Sequence, residues 1–238
     1  MWESEFDGKK LKFHLVAINN QNFIMQDEET GTWWQQVSGE AIQGPLKGKR
    51  LTQAFHDELS FAIWKREHPS GRVLRPDERV RQKYEPANWE EDAAKQPVVT
   101  PVSPNDKLQP RALVVGIEIN GKAVAYPQSA IEKQRLILHS VGATPLFILL
   151  GEDNKSVRAF EREVDGRTLE FFVKADATPL QIVDAETGTT WNFSGKAING
   201  PLVGKQLKRV AVLKDYWFDW KLYHPDTSVY ILGESLKQ

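Results

Sequence analysis

The chain has 238 residues, enough for one large domain or two modest ones with a buried core. Its 31 basic and 32 acidic residues leave a net charge of −1, which supplies no electrostatic footprint for nucleic acid or an anionic membrane. With no cysteine, disulfides, thiolate metal sites and cysteine nucleophiles are excluded, and no apolar run reaches bilayer length.

The first residues, MWESEFDGKK, lack the apolar core of a signal peptide. The chain therefore reads as soluble, with cytoplasmic and extracytoplasmic locations both open. Asp7-Gly8 is a tight-turn signal, and strands are predicted over Leu11–Ile18 and Phe23–Met25. Asp27, Glu29 and Thr30 follow. They are candidate carboxylates for acid–base work or a hard-cation site, but Asp and Thr ahead of Gly31 also make a side-chain-bonded turn, the reading preferred here.

Next come Trp33, Trp34, Gln35 and Gln36. Strand alternation sends the two indoles to opposite faces, Trp34 inward and Trp33 outward. Sugar rings dock on exposed tryptophan faces while amides bond their hydroxyls, so Trp33, Gln35 and Gln36 are the candidate ligand-binding residues, for a small molecule or glycan. The block Ser38–Leu51, SGEAIQGPLKGKRL, offers glycine N–H groups to a phosphate. Arg50 follows Lys49 where a phosphate loop needs Ser or Thr, so the glycines read as turns. A helix is predicted over Asp57–Glu67, ended before His68-Pro69. His68 is a weak catalytic candidate, since a lone histidine at a helix end more often meets the carbonyls and dipole there.

Residues 75–110 hold six of the 13 prolines with much charge and little apolar periodicity. They read as a connector laid over the surface, with Trp89 as its anchor. IEINGKAVAY, Ile117–Tyr126, places Asn120-Gly121 between alternating runs and is the best hairpin signal in the chain. Ser129–Leu138 is a predicted helix with Ser129 as N-cap. Strands follow over Phe171–Val173 and Leu180–Val183, and a last helix over Lys214–Tyr223, ended before His224-Pro225.

Much of this is said twice. SGKAINGPLVGKQL at Ser194–Leu207 repeats the block at Ser38–Leu51 roughly 156 residues later, VDGRTLEF repeats FDGKKLKF, and DAETGTTW repeats DEETGTWW. Two single-residue length changes keep the register. The expected organisation is β-rich with a few short helices: a shortened first repeat unit over 1–74, the connector over 75–110, and a complete second unit over 111–238. Trp34 matches Trp191 and so reads as scaffold. Function is to be sought where the copies differ, at Trp33 against Thr190, Gln35-Gln36-Val37 against Asn192-Phe193, and Glu40 against Lys196.

VVGIEINGKAVAYP, the xDGRxLxF strand, D-x-x-T-G-T-x-W, G-x-A-I-x-G-P-L-x-G-K-x-L and the W-x-x-x-H-P ending together resemble the bacterial and archaeal family catalogued as domain of unknown function 3179. The likeness covers Val114–Leu232 and, shortened, Trp2–Leu74. Members of that family carry a Trp-His-Glu run after AYP and a Cys-x-x-Cys pair before the DGR strand, which looks like a metal or redox site. Here the first stretch reads Gln134-Arg135-Leu136, and Leu150–Ser156 holds no cysteine. The resemblance thus implies that chemistry built on those residues is missing, with no metal and no cofactor expected. It also makes Met1 look like an internal position, as in a fragment or unusual variant.

His14, His56 and His139 show no metal-ligand spacing, and no Ser-His-Asp signature is present. Three functional readings remain. The first is a non-catalytic ligand-binding module. The second is a hydrolase or lyase using Asp27, Glu29 or Glu40, with His68, in a cleft between the repeats. The third is a structural or assembly protein, a homo-oligomer among its forms, in which another chain supplies strands that the first unit lacks.

Overall fold

A computed structural model of the chain describes residues 1–19, 22–98, 100, 102–103 and 105–232. Among them the fold is β-rich, with six sheets and five short helices. The central layer is an antiparallel sheet in the order Arg209–Val210, Val157–Glu161, Thr144–Leu150, Leu136–Val141. Alternation buries both its faces: Leu146, Ile148, Leu150, Val157 and Ala159 enter one core, and Phe147, Leu149 and Phe160 the other.

The first core is closed by the hairpin Leu113–Ile119/Lys122–Pro127, which contributes Val115, Ile117, Val124 and Tyr126. Its turn uses Asn120 and Gly121 at φ 50° and 75°, the positive-φ pair that a two-residue hairpin requires. The hairpin sits between Leu213–Tyr216, antiparallel to its first strand, and Ser228–Val229, parallel to its second. Val114 and Ala125, on its outer face, pack beneath Trp217 and Trp220 of the helix Trp217–Tyr223.

The second core is closed by a four-stranded meander: Phe171–Val173, Gln181–Asp184, Thr190–Asn192 and Ala197–Asn199. The same strand order occurs at Phe13–Asn19, Asn22–Asp27, Trp33–Gln35 and Ala41–Gln43. Both meanders carry a bulge on the strand after the tryptophan, at Ile42 opposite Trp33 and Trp34 and at Ile198 opposite Thr190 and Trp191. Trp34 and Trp191 are fully buried, and each indole N–H donates to an aspartate, Asp27 and Asp184 respectively. Val16 is the extra residue of a bulge between Leu15 and Ala17, and Gln36–Ser38 form a longer loop than Phe193-Ser194. Closing that loop, the Gly39 N–H reaches back to the Gln35 carbonyl, whereas Gly195 reaches Asn192.

The predicted helices start late. Asp57–Leu59 lie outside any regular element and the helix runs Phe61–Glu67, with the Ser60 hydroxyl accepting the Ile63 N–H. Lys214–Tyr216 belong to a strand because they pair with Leu113–Val115, and the helix begins at Trp217. The third helix is Gln128–Gln134. Ser129 lies inside it rather than capping it, and Arg135 at φ 63° breaks the chain into the strand Leu136–Val141. The connector contains two short helices, Glu78–Lys83 and Trp89–Lys95, and Trp89 is 51% exposed, so it anchors nothing. Val102 and Leu108, packed against the outer core of the hairpin, hold that segment instead.

The helix Phe61–Glu67 docks away from its own meander. Ile63 is buried in the core with Phe147, Trp191 and Phe193. The contact is locked by Arg158, 4% exposed. Its guanidinium pairs with both oxygens of Glu67 at 2.7 Å and with Asp57 Oδ2 at 2.7 Å, and it bonds the Phe193 carbonyl. Arg209 also contacts Asp57. Arg158→Met should lower the urea-unfolding free energy by about 3–5 kcal/mol, because two partly buried carboxylates lose their cation. Replacing Arg158, Asp57 and Glu67 together by Met, Leu and Leu should recover most of that loss; a triple variant no more stable than the single one would contradict this account.

Candidate functional site

The first meander ends against the helix Trp217–Tyr223, and the two surfaces leave a cleft of about 630 Å³. On one wall the longer loop after Trp34 presents Gln35, Val37 and Ser38, with Glu40 beyond it. The main chain of Glu40 bridges to Arg50, which also lines the wall. The opposite wall is the hairpin strand with Gly116 and Glu118, and the end of the helix with Trp220, Tyr223 and His224.

Local geometry explains that second wall. The Trp220 ring lies over Gly116, where a Cβ would fall 2.2 Å from a ring carbon, so only glycine admits the indole there. The His224 ring stacks on Trp220 at 3.8 Å between centroids, and its Nδ1 lies 3.6 Å from Glu118. Burial pushes the His224 imidazolium below its ordinary range; Glu118 opposes the shift and Arg50 adds to it. A largely neutral imidazole beside a carboxylate can accept or donate a hydrogen bond to a polar ligand.

Behind the cleft lies a buried polar cluster. Asn22, from the first meander, donates to both carboxylate oxygens of Asp219 at 2.7 and 2.6 Å, and Gln35 Nε2 reaches the Tyr223 hydroxyl at 3.4 Å. Asp219 is 6% exposed, with Asp215 beside it. Burial and then the charge of Asp219 push the Asp215 carboxyl up to about 8. Burial raises Asp219 as well, against the hydrogen bonds from Asn22 and Asp215. Burial and the Asp219 charge raise Tyr223. The pair therefore holds a proton at neutral pH, since two adjacent carboxylates in a desolvated site cannot both ionise.

The expected site residues are scattered over this frame. Gln35 and Glu40 line the cleft, and so does His56. Trp33 is half-buried, on the face opposite Trp34 and outside the cleft, paired with Gln26 and Gln43. Gln36 is exposed, and its carbonyl accepts the Trp2 indole N–H. Asp27 is fully buried. Its oxygens are taken by the Trp34 indole, the Thr30 amide and the Thr30 hydroxyl, and these bonds outweigh burial to hold its carboxyl below the usual range. Glu29 accepts the Lys12 amide at 2.9 Å, closing the same turn. His68 lines a separate groove. His139, partly buried, bonds the Tyr126 hydroxyl at 2.7 Å. Among the described residues, no group of three or more His, Asp and Glu is placed to hold a metal ion, and no helix is long and apolar enough to cross a membrane.

Asn22, Asp215, Asp219, Tyr223 and Glu118 were not singled out from the sequence. One signal for the acid pair was present in the repeat: Asp215 and Asp219 stand where the other copy has Leu59 and Ile63.

A family model described as "Protein of unknown function (DUF3179)" matches residues 1–227. No curated protein and no solved structure matches the chain.

The acid pair has a stability signature. Asp215 ionises near 3.8 when unfolded but near 8 when folded, so between those values the folded chain binds more protons than the unfolded one. Its contribution is fully present below about pH 4 and is lost as pH rises towards about 8. Asp215→Asn should cancel that loss, so urea-unfolding free energies of variant and wild type should diverge in the variant's favour from pH 5 to pH 8.5. A constant difference across that range would rule out the shared proton.

Proposed function

The chain belongs to the DUF3179 family, and because that membership assigns no activity, we propose that it is a non-catalytic ligand-binding module whose ligand occupies the cleft between the first meander and the helix Trp217–Tyr223. One observation carries the reading. Gln35 and Glu40, both at positions where the two copies differ, converge with Glu118 and His224 on one concave surface. Such convergence of polar groups in a well-formed cleft is the ordinary mark of a small-molecule site.

The lining favours a polyhydroxylated, glycan-like ligand. Glu40, Glu118 and Asp226 offer acceptors, Gln35 and Arg50 offer donors, and Trp2, Trp220 and Tyr223 supply aromatic surface. Hydroxyls that both donate and accept suit this mixture better than a ligand of one charge. The cleft retains Gln35 from the cluster expected on sequence grounds and replaces Trp33 with aromatic groups of the second unit.

A hydrolase or lyase is the second reading, favoured by the Asp215–Asp219 pair. A carboxyl kept protonated at neutral pH next to a cleft is suited to general acid chemistry. Incubating a glycan panel with the protein and analysing products separates the two: turnover that disappears in Asp215→Asn supports the enzyme.

Calorimetry against glycans and peptidoglycan fragments tests the binding reading. Gln35→Ala should weaken binding about fivefold to tenfold through one lost hydrogen bond, and Trp33→Ala should leave it within about twofold. If Trp33→Ala alone abolished binding, the ligand would lie on the strand face instead of in the cleft. Absence of binding across the panel would refute the glycan-like assignment.

A further inference from the structure

The groove that contains His68 is lined by Asp57, Leu59, Phe61, Trp64, His68 and Val73, with a volume of about 460 Å³. Its apolar side chains are open to water: Phe61 is 61% exposed, Val73 60%, and the adjoining Leu74 98%. An apolar face of this kind is uncommon without a partner.

The same chain shows what covers such a face. At the repeat spacing of roughly 156 residues, these six positions correspond to Leu213, Asp215, Trp217, Trp220, His224 and Val229. The two helices share their backbone geometry, although the Trp64 and His68 rings lie tilted at 5.8 Å between centroids where Trp220 and His224 stack at 3.8 Å. Their C-caps, His68 and His224, have φ/ψ of −124°/67° and −127°/67°, and Lys65 and Lys221 each bond the carbonyl of the following His-Pro proline. In the second unit, Leu213, Trp217, Trp220 and Val229 pack on Val114, Ala123 and Ala125 of the hairpin Leu113–Pro127. That hairpin fills a two-strand gap between Leu213–Tyr216 and Ser228–Val229. The corresponding segments, 57–60 and 72–73, lie in no β-ladder. Among the described residues the gap beside the first helix has both edges and no filling.

We infer that this groove is the docking site for a β-hairpin of a partner chain, shaped like Leu113–Pro127. The partner pairs one strand antiparallel to residues 57–60 and the other parallel to residues 72–73, which completes a four-stranded sheet. Two side-chain requirements follow from the filled gap. A glycine must face Trp64, as Gly116 faces Trp220. An acidic residue two positions later must face His68, as Glu118 faces His224 at 3.6 Å.

The test attaches an extra copy of Arg111–Gln128 to the full-length chain through about 30 glycine and serine residues, a root-mean-square reach of about 30 Å. Amide hydrogen exchange at residues 57–60 and 71–74 should slow at least about tenfold when the hairpin pairs with them. The effect should vanish when Gly116→Leu is made in the tethered copy alone, and when Phe61→Ser is made in the host. No slowing with the unaltered hairpin, or equal slowing with the Gly116→Leu hairpin, overturns the inference.

Discussion

A guanidinium cannot leave water without anions, and Arg158 has left it almost entirely. It lies on the strand Val157–Glu161, beneath the Phe193 ring at 4.8 Å, and among the described residues its ion-pair partners are Asp57 and Glu67. Both of its carboxylates come from the other end of the sequence, Asp57 before the helix Phe61–Glu67 and Glu67 at its end. Holding that segment at two points leaves it no freedom to fold back on its own meander, and it carries Ile63 into the second core. The first meander is then met by the helix Trp217–Tyr223, through Asn22 and Gln35. One buried cation thus sets which surfaces face each other.

The two crossings have opposite chemistry. At the first crossing Leu59 and Ile63 pack into the core beside the neutralised Arg158–Asp57–Glu67 cluster, and it closes. Asp215 and Asp219 occupy the same places in the second, and an acid pair cannot be sealed into hydrocarbon; it needs Asn22 and the neighbourhood of polar groups. The helices are alike in length and C-cap, but only the first has a side-chain N-cap, Ser60, and Asp215 and Asp219 set the second crossing apart. This is why a polar cleft opens at one crossing and a packed core forms at the other.

Features that depend on a few adjacent residues were legible in the sequence. The Asn120-Gly121 hairpin, the matching Asp7-Gly8 and Asp165-Gly166 turns, and the inward tryptophans follow from local backbone preference and alternation, and the structure contains them. Helix starts were not legible. Asp57–Leu59 stay out of the helix, with Asp57 held by Arg158, and Lys214–Tyr216 are strand because they pair with a strand about a hundred residues earlier in sequence. Of the site, Gln35 and Glu40 were visible as differences between copies. Asp215 and Asp219 were hidden, because an aspartate in a short helix ordinarily reads as solvent-facing and only its apolar counterparts reveal that it is buried. Asp27 and Glu29 drew attention as carboxylates, yet their oxygens serve the turn that shapes the Trp34 strand.

The crossed helices also change what the connector does. It touches the rest of the molecule through few apolar side chains, Val102 and Leu108 among them, and through main-chain carbonyls, Gln96 and Pro97 accepting from Arg111 and Pro110 from the Phe218 N–H, while the salt-bridged joints lie elsewhere. Cutting the backbone within residues 75–95 removes none of the contacts made by Arg158, Ile63 or Asn22. Those contacts would be what holds a nicked chain together, and the connector's contribution is the effective concentration at which the two stretches it joins meet.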